Sequence, residues 1–345
     1  MIRFDSDYIE GCHPQILDAL VRTNMEQTVG YGMDEHCERA REIICAACDA
    51  PTADVHFLVG GTQTNTTVIA AVLRPWQGVL CADTGHINCH ETGAIEATGH
   101  KVLALPHCDG KITAQQLHKA IAALRNDPSY EHIVQPGMVY ISQPTEYGTL
   151  YSAQELRDIS AVCRESGLPL FLDGARLGYA LAADETLTLR DYAALCDVFY
   201  IGGTKVGFLF GEAVVITNDE IKPEFRNMIK RQGGMLAKGR LLGLQFETMF
   251  ENGEYVAVAR NAVDKARQIR AVLLETGIPL AFDSPTNQLF PVLTRVQSEA
   301  LRAQFALGVW DTTGGERDTF RICTSWATTQ ENTDALIAAI RALKN

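Results

Sequence analysis

Lys205 lies between two apolar, strand-like segments, in the run Gly202-Gly-Thr-Lys-Val-Gly207. Lysine is rarely buried without a partner, and desolvation lowers its pKa and leaves a free, nucleophilic amine. Such an amine forms Schiff bases with aldehydes, pyridoxal phosphate among them. A lysine in a surface turn fits the same pattern, so neighbouring residues must decide between the two interpretations.

Asp173 ends the apolar segment Leu168–Asp173 and is followed by Gly174-Ala-Arg176. The carboxyl end of a parallel strand faces the ligand crevice of an open α/β sheet. A carboxylate there can pair with a pyridine nitrogen and keep it protonated, so that the ring accepts electrons. The alternative is a helix N-cap, for which aspartate is a preferred residue.

The segment Gly60-Gly-Thr-Gln-Thr-Asn65 lies between a strand and a helix in the predicted order. Glycines allow close backbone approach to an anion, and the N–H groups of a helix N-terminus bind phosphate. The segment matches neither the Gly-x-Gly-x-x-Gly pattern nor a P-loop, which disfavours nicotinamide and nucleoside triphosphate ligands. A plain strand-to-helix turn is the alternative.

Two further side chains can serve the same crevice. His86 follows the predicted strand Gly78–Ala82, and an imidazole there can stack on a planar cofactor and move protons near neutral pH. Arg321 follows Thr319-Phe320 in a strand-like segment, and its guanidinium can grip a carboxylate with two hydrogen bonds. A surface histidine and a surface ion pair are the respective alternatives.

The elements that position these residues alternate between strand and helix over the first two thirds of the chain. Continuous apolar strands between helices predict a mostly parallel sheet covered on both faces, an α/β fold. The pattern predicts strands at 55–59, 78–82, 101–105, 137–142 and 168–173, and helices at 13–23, 63–73, 90–98, 113–124 and 152–165.

The pattern changes after about Thr217. Residues 220–275 are predicted to be largely helical, followed by strands at 288–293, 308–310 and 319–323 and a last helix at 329–343. We therefore predict an N-terminal arm at residues 1–12, a large ligand-binding domain at 13–245, and a smaller α+β domain at 246–345.

The composition fits a soluble enzyme of 345 residues. A net charge of −12 argues against nucleic acid or an anionic membrane as a partner. No membrane-spanning run or signal peptide is evident, and the ten cysteines are interpreted as reduced thiols in a cytoplasmic protein. Cys45-Ala-Ala-Cys48 matches a redox or zinc half-site by spacing, but it lies in a helix-like run without a second pair and is interpreted as small core residues. The Cys81, His86, Cys89 and His90 group has no ordinary zinc spacing, so no metal site is predicted.

The order of phosphate turn, histidine, strand-end aspartate and lysine resembles fold-type I pyridoxal phosphate enzymes. Along essentially its whole length the chain resembles the low-specificity L-threonine aldolases of the β-eliminating lyase group. The resemblance rests on Phe4-Asp-Ser-Asp7, Tyr31-Gly-Met-Asp-Glu35, Gly60–Asn65, Gly85-His-Ile-Asn88 with Glu91, Gln143-Pro-Thr-Glu-Tyr-Gly148, Asp173-Gly-Ala-Arg176, Gly203-Thr-Lys205 and Phe320-Arg-Ile-Cys-Thr-Ser325.

The resemblance implies a role for each matching residue and a pyridoxal 5′-phosphate cofactor. Lys205 would hold the cofactor covalently, Asp173 would pair with its pyridine nitrogen, and His86 would stack on its ring and is the candidate base. Gly61 and Thr62 would hold the phosphate. The substrate carboxylate would be bound by Ser6, Arg176 and Arg321, with Arg176 also near a cofactor oxygen. In a homodimer or homotetramer, each site would borrow residues from a neighbouring subunit, at positions matched here by Tyr31, Arg231 and Lys238.

The implied activity is retro-aldol cleavage of L-threonine, L-allo-threonine or related β-hydroxy-α-amino acids to glycine and an aldehyde. Three departures mark a divergent branch: Gly-Gly-Thr-Lys205 replaces a common Leu-Ser-Lys, Gln143-Pro-Thr-Glu146 replaces a common Glu-Asn-Thr-His, and Lys238 stands where some members have arginine. The nearest match to a second family histidine, His132, is left outside the site. The alternatives are another fold-type I reaction, β-elimination or transamination, and a non-catalytic binding protein on the same fold.

Overall fold

The computed structural model describes residues 1–312 and 314–343. Thr313, Lys344 and Asn345 lie outside the described residues, so the last two positions of the predicted small domain are not covered. In chain order the strands are β1 (Ile2–Arg3), β2 (Asp54–Leu58), β3 (Gln77–Ala82), β4 (Lys101–Leu105), β5 (Gln135–Ser142), β6 (Leu170–Asp173), β7 (Val198–Gly202), β8 (Glu212–Ile216), β9 (Gln288–Leu289), β10 (Val292–Thr294), β11 (Phe305–Ala306), β12 (Gly308–Asp311) and β13 (Arg317–Cys323).

The helices alternate with the first of these strands and then dominate the middle of the chain. They are α1 (Pro14–Arg22), α2 (Glu35–Ala47), α3 (Gly61–Val72), α4 (His86–Cys89), α5 (Ala114–Arg125), α6 (Ala153–Ser166), α7 (Leu177–Ala183), α8 (Leu189–Leu195), α9 (Phe225–Arg231), α10 (Arg240–Glu251), α11 (Glu254–Glu275), α12 (Arg295–Arg302) and α13 (Gln330–Arg341).

A seven-stranded sheet in the order β2-β8-β7-β6-β5-β3-β4 forms the centre of the molecule. Six of its strands run in the same direction, and β8, which lies between β2 and β7, runs in the opposite direction. Apolar side chains cover both faces: Leu80, Val139 and Leu172 belong to one buried cluster, and Val79, Met138 and Phe171 to the other. The prediction of an α/β fold with a mostly parallel, doubly covered sheet is confirmed.

The C-terminal part is built on a second, four-stranded sheet in which β13 pairs with β9, β10 and β12. Strand β1 pairs with β11, which brings the N-terminal residues against this part of the chain. The predicted helical stretch at 220–275 is confirmed, and α10 runs continuously across the predicted domain boundary at 245/246. None of the helices in the described residues is both long and apolar enough to cross a membrane.

Two predicted elements differ from the structure. The helix predicted at 90–98 is wrong: α4 ends at Cys89, and only a 3₁₀ turn, Glu96–Thr98, follows. Thr92 and Gly93 have positive φ values, a conformation that interrupts a right-handed helix. The single strand predicted at 288–293 is two strands, β9 and β10, separated at Phe290-Pro291, because proline has no N–H group for the ladder.

Candidate active site

Two adjoining cavities lie at the carboxyl ends of the central strands. The inner cavity, of about 290 Å³, is lined by residues that include Gly61, Thr62, His86, Asp173, Arg176 and Lys205. The outer cavity, of about 440 Å³, is lined by residues that include His90, Gln288, Trp310 and Arg321. Residues predicted from five separate segments of the sequence therefore share one cleft.

Lys205 lies in the connection between β7 and β8, which is closed by backbone hydrogen bonds. The N–H groups of Gly203 and Thr204 both donate to the carbonyl of Gly211, at 2.9 and 3.2 Å. A Cβ atom at Gly203 would lie 2.5 Å from the Phe208 ring, so glycine is required there. The turn thus projects Lys205 from a fixed backbone into both cavities.

The surroundings of Lys205 favour its neutral amine. Burial and the nearby charge of Arg176 lower the pKa of Lys205, and the charges of Asp7 and Asp173 only partly oppose them. Glu212 is buried beneath the same turn, where it accepts hydrogen bonds from the Gly203 N–H and the Thr204 hydroxyl. Burial raises the pKa of Glu212 above its usual range. A neutral amine is the nucleophilic form of lysine.

Asp173 is buried at the end of β6 and surrounded by donors. Its Oδ1 accepts hydrogen bonds from the Tyr200 hydroxyl (2.5 Å) and the Ala175 N–H (3.0 Å), and its Oδ2 from the Tyr140 hydroxyl (2.6 Å) and the Asn65 amide (3.2 Å). Burial by itself would raise the pKa of Asp173, but the nearby His86 and the tyrosine hydrogen bonds outweigh it, and the pKa is lowered. The carboxylate is therefore held ionised against the cavity.

Helix α3 begins at Gly61 without a side-chain cap. The backbone N–H groups of its first turn are thus left to an external acceptor, and Gly60, Gly61 and Thr62 all line the inner cavity. A Cβ atom at Gly61 would approach the Tyr200 hydroxyl to 3.2 Å, so glycine keeps the space open. This helix end is suited to a phosphate group.

His86 is held in a chain of hydrogen bonds that leads to Asp173. Its Nδ1 lies 2.8 Å from Glu91 Oε1, which also accepts a hydrogen bond from the Asn65 amide at 2.7 Å. Because an ionised carboxylate can only accept, Nδ1 carries a proton and donates it to Glu91. The orientation of the ring is therefore fixed by Glu91.

Arg176 forms a buried, bidentate ion pair with Asp7 from the N-terminal segment. Its Nε and Nη2 donate to the two Asp7 oxygens at 2.6 and 3.0 Å, and the Asn287 amide donates to Asp7 at 2.9 Å. Burial alone would raise the pKa of Asp7, but Arg176 holds it at about 2. Two of its nitrogens bind Asp7, and no described residue accepts a hydrogen bond from Nη1, so this nitrogen is available to a ligand.

Arg321 reaches the outer cavity from β13. Its Nη2 donates to the Asp5 carbonyl at 3.1 Å, and its guanidinium lies 5.4 Å from the centroid of Trp310. Arg321 Nε, the Ser6 hydroxyl and both polar atoms of Gln288 are buried without hydrogen-bond partners among the described residues. Orphaned groups cost free energy, so those of Arg321 and Gln288, which line the outer cavity, indicate a polar ligand there. Ser6 lines neither cavity.

The Asp7–Arg176 pair makes a testable contribution to stability. We expect Asp7→Asn to lower the free energy of unfolding by about 3–5 kcal/mol at neutral pH, because it leaves a buried guanidinium without its counter-charge. Urea unfolding at pH 7 measures this. The Asp7 pKa is held at about 2, below its usual 3.8. The contribution of the ionised Asp7 is therefore complete above about pH 4 and is lost as the pH falls through about 2, below which the two proteins should converge.

Asp5→Asn is the matched control for Asp7→Asn, because Asp5 pairs with the exposed side chain of Arg3. An exposed ion pair contributes about 0–1 kcal/mol. Equal losses from the two substitutions would contradict the importance assigned to the buried pair.

Three residues predicted to serve a neighbouring site, and His132, which was left outside the site, lie away from the cleft within this chain. Tyr31, Arg231, Lys238 and His132 are exposed and line neither cavity. Tyr31 is 47% exposed, and the Lys230 ammonium lies 5.1 Å from the centroid of its ring. Any part that these residues play in the site requires a second chain.

Several residues that line the cleft or bind its lining residues were not predicted from the sequence as site residues. Asp7 and Glu91 stood within the matched motifs, and their acidic side chains were the available signal. Tyr140 and Tyr200 stand in apolar strands and carry no local signal that they contact Asp173. Glu146 and Gln288 also line the cleft.

Comparison with known proteins places the chain among enzymes of one family. Residues 4–296 match the sequence profile described as Beta-eliminating lyase. A Low specificity L-threonine aldolase of Pseudomonas sp. (strain NCIMB 10558) is 30% identical, over 99% of this chain and 97% of that protein.

Two solved structures resemble the fold. A threonine aldolase from Leishmania major superposes with a TM-score of 0.96 at 44% identity, covering 99% of both chains. Aspartate aminotransferase from Thermus thermophilus, at 14% identity, superposes with a TM-score of 0.72 over 99% of this chain and 92% of that one. The second likeness concerns the fold alone, which is fold type I.

Proposed function

The chain belongs to the β-eliminating lyase family, and from this we propose that it is a pyridoxal 5′-phosphate-dependent carbon–carbon lyase. It cleaves L-threonine, L-allo-threonine and related β-hydroxy-α-amino acids to glycine and an aldehyde. The observation that carries the proposal is the meeting of Lys205, ionised Asp173 and the uncapped start of α3 in one cavity. The reaction is inferred from the relatives, which are named threonine aldolases.

The residues of the inner cavity fit the proposed cofactor. Gly61 and Thr62 would hold its phosphate, Asp173 its ring nitrogen, and Lys205 its aldehyde carbon, with the face of His86 against the ring. When bound, the cofactor would accept the electron pair released as the Cα–Cβ bond of the substrate breaks. Tyr140, Tyr200 and Asn65 support this by fixing the Asp173 carboxylate and keeping it charged.

The outer cavity fits the substrate. Arg321 and Ser6 would bind the substrate carboxylate, and the orphaned Nε of Arg321 supports the assignment of Arg321. Arg176 would contribute its remaining nitrogen, while Asp7 prevents its guanidinium from moving. Fixing the carboxylate orients the bonds at Cα and so selects which of them breaks.

An aldehyde-coupled assay on L-threonine and L-allo-threonine tests the proposed reaction. The purified protein, loaded with pyridoxal 5′-phosphate, is expected to release acetaldehyde from at least one of the two. L-2-aminobutyrate, which lacks the β-hydroxyl, is the control and should release none. Release of acetaldehyde from neither diastereomer would refute the proposal.

We further propose a homodimer or homotetramer in which Tyr31, Arg231 and Lys238 complete the site of a neighbouring chain. All three side chains are exposed, which supports this proposal. Five apolar side chains close to Tyr31 in the sequence are exposed as well: Leu17, Val21, Met25, Val29 and Met33.

The domain limits 1–12, 13–245 and 246–345 remain part of the proposal. So does a cytoplasmic location, which is supported by ten cysteines with free thiols.

Mixing two inactive variants tests the shared site. Lys205→Ala and Lys238→Ala are each expected to be nearly inactive. After dissociation and reassociation together, about a quarter of the wild-type activity should return, because half of the dimers are mixed and each has one intact site. A mixture no more active than its parts would contradict the assignment of Lys238 to the neighbouring site.

A further inference from the structure

Five residues line both cavities and therefore stand where cofactor and substrate would meet: Tyr8, His86, Glu146, Arg176 and Lys205. Glu146 is the one carboxylate among these five. The proposed function gives a task to His86, Arg176 and Lys205 but none to Glu146. A carboxylate at this junction needs an explanation, since charged groups are costly to bury.

Glu146 is held rigidly in the turn that follows β5. The Thr145 N–H donates to the Thr149 carbonyl, and the Gly148 N–H to the Thr145 carbonyl, both at 2.9 Å. Hydroxyls of Ser284 and Thr286 from the C-terminal part donate to the Gly148 carbonyl at 3.1 and 3.0 Å. The turn is thus fixed from both sides, and the Glu146 carboxylate has a defined position at the cleft.

The hydrogen bonds that other described residues make to this carboxylate all reach one oxygen. Oε1 accepts hydrogen bonds from the backbone N–H of His86 at 2.9 Å and the Ser142 hydroxyl at 2.7 Å. Among the residues that the structure describes, none other than Glu146 itself offers a donor to the carboxylate at Oε2. An oxygen on a cavity wall without a donor from another residue can accept a hydrogen bond from a ligand hydroxyl.

We propose that Glu146 is a catalytic residue that accepts the proton of the substrate β-hydroxyl through Oε2. The assignment rests on the proposed function and deepens it. The O–H bond breaks and its proton passes to Glu146, while the electron pair of that bond forms the carbonyl of the aldehyde. The Cα–Cβ bond breaks at the same time, and its electron pair passes to the substrate Cα, where a proton taken up from solvent completes glycine. The cofactor, when bound, would stabilise the charge at Cα.

The environment of Glu146 suits this task better than that of His86. Burial raises the pKa of Glu146, more than the Ser142 hydrogen bond lowers it, so the carboxyl group can retain the proton it takes up. His86 already has its Nδ1 bound to Glu91 and is assigned to holding the cofactor. Glu146 is free for the hydroxyl, and His86 serves as a positioning residue.

The discriminating experiment compares a reaction that needs the hydroxyl with one that does not. The Glu146→Gln substitution keeps the shape of the side chain, but the amide cannot take up a proton. The variant should therefore turn over L-threonine about 10²–10⁴-fold more slowly, since this is the usual contribution of a general base. Exchange of the glycine α-protons in deuterium oxide, followed by NMR on the cofactor-loaded enzyme, involves no hydroxyl and should change by less than about threefold.

Three matched measurements complete the test. The dissociation constant of L-2-aminobutyrate, measured by calorimetry, should stay within about threefold of wild type in Glu146→Gln, because this ligand has no hydroxyl. Glu165→Gln, the same change on the outer face of α6, should leave both reactions unchanged. His86→Asn should slow cleavage and glycine exchange alike, because it disturbs the cofactor.

The outcomes distinguish a failure of the Glu146 assignment from a failure of the proposed function. If the wild-type enzyme and Glu146→Gln release aldehyde at similar rates, or if Glu146→Gln loses both reactions equally, Glu146 is not the proton acceptor and the proposed function stands. A selective loss of cleavage in His86→Asn alone would assign the proton to His86 instead. Glycine exchange by a wild-type protein that releases no aldehyde would overturn the proposed function and this assignment together.

Discussion

Lys205→Ala is expected to lower the turnover of L-threonine by more than about 10⁴-fold, beyond the upper range of a single general base. The substitution removes the only group proposed to hold the cofactor covalently, so the visible absorption band of the bound cofactor should also shift or disappear. The turn itself is fixed by Gly203, Thr204 and Gly211, whose hydrogen bonds do not involve the lysine side chain. The loss should therefore occur without unfolding, which circular dichroism checks.

Lys205→Arg is the control for charge. It retains a cation at the same place but cannot act as a neutral amine, since arginine stays protonated in proteins. We expect it to be as inactive as Lys205→Ala. Substantial turnover in Lys205→Arg would contradict a nucleophilic role and would favour a purely electrostatic one.

Asp173→Asn is expected to lower turnover by about 10²–10³-fold, a loss typical of removing one preorganised electrostatic group from an active site. The amide has no charge with which to keep the ring nitrogen of the cofactor protonated. It would also turn a donor towards the hydroxyl of Tyr140 or Tyr200, both of which now donate to the carboxylate. Steady-state assay of acetaldehyde release measures the loss.

Tyr140→Phe distinguishes the charge of Asp173 from its geometry. It removes one hydrogen bond at 2.6 Å and leaves the carboxylate with the Tyr200, Asn65 and Ala175 donors. The loss of turnover should be clearly smaller than in Asp173→Asn. If Tyr140→Phe were the more damaging variant, the carboxylate charge would not be the essential feature.

The residues that could be identified from the sequence are those for which a local pattern implies a position. Asp173 closes an apolar strand, and Lys205 and Gly61 stand in glycine-rich turns beside strands, so the topology of a parallel sheet alone brings them to one edge. The register of β5 against β6 then pairs Ser142 with Asp173. This part of the cleft follows from elementary rules of α/β folds.

Contacts between distant segments could not be predicted in this way. Asp7 meets Arg176 across 169 positions of sequence, and Arg321 meets the Asp5 carbonyl across 316. Both depend on how the N-terminal segment lies against the C-terminal part, which no period or motif specifies. The positions of Glu146 and Gln288 depend likewise on the packing of the turn after β5 and of β9 at the cleft.

The short elements show why local pattern also fails close to the site. Residues 90–98 have a helical composition, yet Thr92 and Gly93 adopt positive φ values and His86 lies in a single helical turn instead. That turn allows Glu91 to fold back onto His86 Nδ1. The tertiary hydrogen bonds of Glu91 and Asn65 accompany this departure from helix propensity.

Product analysis of the reaction with L-threonine is the most direct test of retro-aldol cleavage by this protein. The cofactor-loaded protein is incubated with L-threonine, and the products are quantified by NMR. Retro-aldol cleavage predicts glycine and acetaldehyde in equal amounts, without ammonia. Formation of 2-oxobutyrate with ammonia would contradict retro-aldol cleavage and assign the site to elimination. Formation of a new amino acid only when a keto acid is added would assign it to transamination.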